Sequence, residues 1–106
     1  MSRPDLLDGA TLDEWLSAHQ EWRLEQGHLV RELRTSDYPS TSRLFEAQVA
    51  TAERLNHHPV VTIGYRSVRV DLWTHDRGGV TRLDLDYAEA FDQIVAARFA
   101  DDVETI

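Results

Sequence analysis

The sequence predicts an α+β fold of two layers. An antiparallel four-stranded sheet carries its helices on one face, with a β-β-α unit repeated twice after a short N-terminal helix. Three observations predict it. Period-two stretches come in adjacent pairs, over residues 21–35 and 60–74. Within each pair the joining loop is too short for anything but an antiparallel connection. Stretches of good helix formers, 41–56 and 81–98, follow the pairs. At 106 residues the chain is read as one domain, with 1–10 and 100–106 as loose ends.

The first helix is expected from a capping box, Thr11-Leu12-Asp13-Glu14, in which hydroxyl and carboxylate satisfy free amides. Leu12, Trp15, Leu16 and His19 then share one helical face, with His19 a packing or boundary residue. Residues 21–25 alternate as a strand holding Trp22 as a core or edge aromatic, and Gln26-Gly27 supplies a turn. The second strand, 28–35, sets Leu29, Arg31 and Leu33 against Val30 and Glu32, with His28 exposed beside the turn. Pro39 suits a helix entrance, with Ser40 or a neighbour as cap. Phe45, Val49, Ala52 and Leu55, widened by Leu44, form the expected buried stripe, and small Ala47 and Ala50 permit close approach to a sheet. Pro59 ends that helix near Asn56 or His57.

Residues 60–65 and 67–74 read as a hairpin around Arg66-Ser67. In that register Tyr65 faces Val68, Ile63 faces Val70 and Val61 faces Leu72, all beneath the helices. Extended further, it sets Val60 against Trp73 and His58 against His75. The other sheet face carries Thr62, Arg69, Asp71 and Trp73, a candidate subunit interface. Residues 76–79 form a turn. Thr81-x-x-Asp84 caps the last helix, whose face runs through Tyr87, Ala88, Phe91, Ile94, Val95 and Arg98 or Phe99.

Net charge is −8 and the pI is near 4.9. Such a surface repels phosphate backbones and anionic headgroups, so no nucleic-acid or membrane partner is expected. There is no apolar run long enough for a membrane span, no signal-peptide layout and no P-loop, dinucleotide fingerprint or nucleophile elbow. The absence of cysteine excludes disulfides and thiolate chemistry and fits a reducing cytoplasm.

Three of the five histidines fall in two short segments, 53–59 and 74–79. Imidazoles titrate near neutrality, so a cluster can both donate and accept protons. Glu53 lies four residues before His57 and can orient it, as can Asp84 from across the site. Three readings compete. Glu53, His57, His58 and His75 have the ligand chemistry of a Zn²⁺ or Fe²⁺ site, without a specific spacing. Each residue taken singly fits a structural role. Taken together with the hairpin, they fit metal-free acid–base chemistry on a small molecule.

The segment Glu53-x-x-x-His57-His58-Pro59, with Tyr65, Thr74-His75-Asp76 and Gly79-Val80-Thr81-x-x-Asp84, resembles the pterin-4a-carbinolamine dehydratase family. Trp22, Asp37-Tyr38, Val49, Ala50 and Ala52 extend the resemblance over about residues 11–98. It implies dehydration of 4a-hydroxytetrahydropterin to quinonoid dihydropterin, in pterin recycling after aromatic amino-acid hydroxylation, with no metal or cofactor. It implies catalytic His57, His58 and His75, orienting Asp84, and a pterin pocket lined by His57, His58, Pro59, Thr74, His75, Asp76 and Arg77. A homodimer or homotetramer is implied. So is an alternative, a non-catalytic interaction module like the coactivators and assembly factors among the relatives. The chain departs from the family at Val60-Val61, where an aromatic wall is frequent, at Thr35, also frequently aromatic, and at Tyr38-Pro39-Ser40.

Overall fold

The structure is a computed structural model and describes residues 4–106. Helix α1 spans Gly9–Ala18, β1 Arg23–Glu25, β2 His28–Thr35, α2 Tyr38–Leu55, β3 Val60–Gly64, β4 Ser67–Leu72, α3 Arg82–Arg98 and β5 Val103–Thr105. A single 3-10 turn, His75–Arg77, connects β4 to α3. The strands lie in the order β1-β2-β4-β3, all antiparallel, and β5 pairs with the last three residues of β2. The α+β class and the order of helices and hairpins agree with the sequence reading.

Alternation along the sheet sets the core. Leu29, Leu33, Val68, Val70 and Leu72 project to one face and pack against Leu12 and Trp15 of α1, Leu44 and Ala52 of α2, and Leu85, Tyr87, Ala88, Phe91 and Val95 of α3. Each buried aliphatic of this kind stabilises the fold by about 1.5–3 kcal/mol. Trp22 is a core aromatic, edge-on to Phe91. His19 is a boundary residue, stacked on Trp15 at 4.0 Å. On the opposite sheet face, Val30 is buried between its cross-strand neighbours Arg23 and Asp71. Arg69 reaches Glu25 and Glu32 at 2.9 and 3.0 Å, and Arg23 bonds to the same two carboxylates. These guanidiniums hold the Glu25 carboxyl below the usual carboxylate range.

Several elements differ from the sequence reading. Asp8, not Thr11, caps α1 by accepting from the Thr11 amide at 2.7 Å, so Thr11 sits inside the first turn. The supposed loose N-terminal end is tied down: the Leu7 amide donates to the Val80 carbonyl and Leu6 bridges to Thr81. Residues 1–3 of that expected end lie outside the described residues. Helix α2 starts at Tyr38 because the Asp37 carboxylate accepts from the Ser40 amide at 2.8 Å, with Pro39 in the first turn.

The buried stripe of α2 is rotated as well. Thr41, Leu44, Gln48, Thr51 and Ala52 are buried, whereas Phe45 and Val49 are 39% and 41% exposed. Polar anchors select this face. The hydroxyls of Thr41 and Thr35 lie 2.6 Å apart, and Tyr87 donates to Gln48 Oε1 at 2.5 Å. Burial pushes the Tyr87 phenol up. Thr35, where relatives of the resembled family frequently have an aromatic, is thus a hydrogen-bonding residue here.

The β3–β4 register is displaced by two residues from the expected one: Ile63 pairs with Val68, Val61 with Val70 and Val60 with Asp71. A shift of two leaves every side chain on its predicted face, so alternation cannot detect it. The turn decides. Gly64 opposes Ser67 so closely that a Cβ on Gly64 would lie 2.4 Å from the Ser67 hydroxyl oxygen. Tyr65 and Arg66 form the loop, and Arg66 exchanges backbone and side-chain bonds with Thr35. Tyr65 is therefore 73% exposed, Ile63 is exposed, and His58 and His75 are not cross-strand partners. The tail is not loose either. β1 covers only the first three residues of β2, leaving unpaired backbone groups on that edge, and β5 takes them.

One charge lies on the core face. Arg31 donates to Asp92 at 2.6 Å and to Thr105 at 3.2 Å, and Trp22 also donates to Asp92. Burial raises the Asp92 carboxyl, opposed by Arg31. A raised carboxyl holds its proton more tightly in the folded chain, so its contribution is full below the usual value and falls as pH rises through the folded one. Arg31→Met should cost about 3 kcal/mol in urea unfolding near neutral pH, with the deficit shrinking as pH falls toward 4.

Candidate active site

The site forms where the end of α2, the exit of β4 and the start of α3 converge. Asn56 closes α2 in the left-handed conformation (φ 48°), a position for which Asn is among the better residues. The chain then turns inward, and the His57 amide donates to the Ala52 carbonyl at 3.0 Å. Pro59 blocks further helix. His57 is buried and its Nε2 stands 2.5 Å from Asp84 Oδ1.

Asp84 is fully buried at the third position of α3. Its Oδ2 accepts from the Thr81 amide at 2.8 Å, which completes the predicted capping box, and from the Thr74 hydroxyl at 2.9 Å. The Thr81 hydroxyl, 2.7 Å from that of Thr74, accepts in turn from the Leu83 amide at 3.2 Å. With Thr74's proton on Asp84, Thr81 donates to Thr74. Ionised, Asp84 accepts on both oxygens, and the hydrogen bond to Oδ1 is then donated by His57 Nε2. Among the described residues His57 Nδ1 has no hydrogen-bond partner, and the ring lines the adjoining cavity. Carboxylate at a helix start also complements the helix dipole.

That cavity, of about 280 Å³, is lined by Asn56, His57, His58, Thr74, His75 and Asp76. The three clustered histidines therefore meet, although by a loop and a 3-10 turn rather than across a strand pair. His58 and His75 are exposed where His57 is buried. Glu53 does not orient His57. The helix stops at Leu55, so His57 leaves the i+4 position, and Glu53 instead meets His58 Nε2 at 2.6 Å. Pro59 and Arg77 stand outside the lining: Pro59 borders a neighbouring apolar groove, and Arg77 Nε donates to the Pro4 carbonyl at 3.1 Å. Val61 lines that same groove with Phe45 and Val49, sharing His58 as a wall with the cavity.

Sequence reasoning missed Asn56, although an Asn just past a helical stripe is a signal for a left-handed cap. It also missed the Thr74 hydroxyl as a partner of Asp84, which no local pattern announces. His28, expected to be exposed, is half-buried: it bonds Asp71 at 2.8 Å and stacks on Trp73. Among the described residues no group of three or more His, Cys, Asp or Glu side chains is placed to hold a metal ion, and no helix is long and apolar enough to cross a membrane.

Residues 5–94 match the family model for pterin 4 alpha carbinolamine dehydratase. The chain is 40% identical over 83 residues to a candidate pterin-4-alpha-carbinolamine dehydratase of Metallosphaera sedula, covering 78% of this chain and 86% of that one. It is 36% identical over 89 residues to a counterpart of the same name from Chloroflexus aurantiacus, covering 84% and 96%. A crystal structure described as a transcriptional coactivator/pterin dehydratase from Brucella melitensis superposes with a TM-score of 0.81 at 28% identity, covering 85% and 98%. A pterin dehydratase-like RuBisCO assembly factor of the alpha-carboxysome, at 18% identity and a TM-score of 0.57 over 69% and 84%, shares the fold.

The hydrogen bonds around Asp84 yield a test. Asp84→Asn keeps the shape but removes the charge and replaces one acceptor with a donor, which either opposes the Thr81 and Thr74 donors or turns to His57 and drives its proton from Nε2 to Nδ1. The variant should lose about 2 kcal/mol in urea unfolding.

Proposed function

The chain belongs to the pterin 4 alpha carbinolamine dehydratase family, and on that premise we propose that it removes water from a 4a-hydroxytetrahydropterin to leave the quinonoid dihydropterin. The observation that carries this reading is the convergence of three imidazoles on one cavity, one of them braced by a buried carboxylate. The reaction breaks the C4a–O bond as a proton reaches the leaving oxygen. The C4a–N5 double bond forms as N5 gives up a proton, so one water leaves and no outside electron acceptor is needed. Imidazolium supplies the first proton and a neutral imidazole or water takes the second.

In this reading His58 and His75, at the open mouth, flank the hydroxyl. His57, whose ring lines the cavity, handles the other proton or holds the ring of the pterin. Asp84 orients His57 and Glu53 orients His58. Asn56, Thr74 and Asp76 line the pterin. The chemistry of the proposal calls for no metal or cofactor, and its place is pterin recycling in the cytoplasm.

A second reading, a protein-interaction module, draws support from an exposed apolar strip. Phe45 and Val49 of α2, Ile63 of β3, and Tyr38 and Tyr65 all present apolar surface. The same strip supports self-association into a homodimer or homotetramer. Undetectable pterin binding together with a co-purifying partner protein would favour the module.

Decay of 4a-hydroxytetrahydropterin with and without the protein tests the main reading. His57→Ala or His75→Ala should lower turnover by roughly 10²-fold or more, and unchanged rates in both variants would remove the assignment. For the strip, Val49→Glu should shift sedimentation velocity toward a lower mass while the variant stays folded.

A further inference from the structure

Trp73 follows β4 directly, and its indole lies between two imidazoles. His28 stacks on it at 3.9 Å with an interplanar angle of 3°, and His75 stacks at 4.3 Å and 14°. His28 is itself fixed, since its Nδ1 lies 2.8 Å from Asp71 Oδ1, and Asp71 is 3.8 Å from Arg69 in the charged ladder. His75 has no such anchor. Among the described residues its ring makes no hydrogen bond and no ion pair, and Trp73 is the one ring it touches.

We infer that Trp73 is the positioning residue for His75, and that His28, held by Asp71, buttresses it from behind. The inference rests on the proposed role of His75 in dehydration. Both faces of the indole are occupied, so Trp73 is not a platform on which a pterin stacks. Its contribution is to give an otherwise unanchored imidazole one orientation at the cavity mouth. Stacked aromatic pairs have a preferred geometry, and that preference replaces the carboxylates that hold His57 and His58. The two ring nitrogens of His75 are left for substrate.

Two measurements separate this inference from the functional reading. NMR of the His75 ring protons reports the stack directly: they should be shifted upfield by the indole ring current, and the shift should vanish in Trp73→Leu. Carbinolamine turnover should fall about tenfold in Trp73→Leu, mainly in kcat with KM little changed, because a misplaced catalytic group costs rate rather than binding. Trp73→Phe, which can still stack, should recover most of the rate, and His28→Leu should give a smaller loss of the same kind. An absent upfield shift in the unmodified protein overturns the stack itself. A lost shift with an unchanged rate overturns the positioning role, provided His75→Ala is slow. A His75→Ala variant as fast as the unmodified protein overturns the functional reading of His75, and with it the role assigned to Trp73, even where the stack is seen.

Discussion

The Asp84 carboxylate is the constraint on which the rest of the site depends. It is fully buried and is bonded to the Thr81 amide, the Thr74 hydroxyl and His57 Nε2. These three donors come from the start of α3, the exit of β4 and the loop after α2. A buried carboxylate left short of donors is costly, so the three segments are held at one point by the requirement that it be satisfied. A helix cap and the bracing of an imidazole are therefore one interaction. This removes the choice between a structural and a chemical reading of Asp84, since the two oxygens serve the two purposes.

The three clustered histidines are held by different physics. His57 is buried and fixed by a charge-assisted bond inside the protein. His58 is exposed, and its Glu53 partner is exposed too, so water competes for that bond. Among the described residues His75 has aromatic contact alone. The most rigid imidazole lies at the back of the cavity and the two accessible ones at its mouth. That gradient suits a site whose reactant must enter and leave, and it agrees with the order of burial rather than with the order of the residues in the chain.

Beyond the site, polar pairs choose among packings that hydropathy alone leaves nearly equivalent. Thr41 with Thr35, and Gln48 with Tyr87, turn α2 so that Phe45 and Val49 face outward. The cost is an exposed apolar strip beside the edge strand β3. On the sheet's other face, Arg23 and Arg69 pair with Glu25 and Glu32, and the ladder continues through Asp71 to His28. The exposed Phe45 and Val49 lie on the helix side.

The sequence by itself determined the α+β class, the order of the helices and the two hairpins, the first hairpin at Gln26-Gly27, the capping box of α3 and the clustering of His57, His58 and His75 in two short segments. These follow from local rules: periodicity, turn chemistry, and proline after a helix. Only the tertiary structure decided the β3–β4 register, the buried face of α2, the partner of Glu53 and the pairing of β5 with β2. Each of those is a choice between alternatives that local patterns score alike. A two-residue slip keeps every side chain on its face, and Phe and Val outrank Gln and Thr in hydropathy. The left-handed cap at Asn56 takes His57 off the helix and away from Glu53, to Asp84. Long-range hydrogen bonds and a steric limit at Gly64 make those choices, and neither is visible until distant residues are brought together.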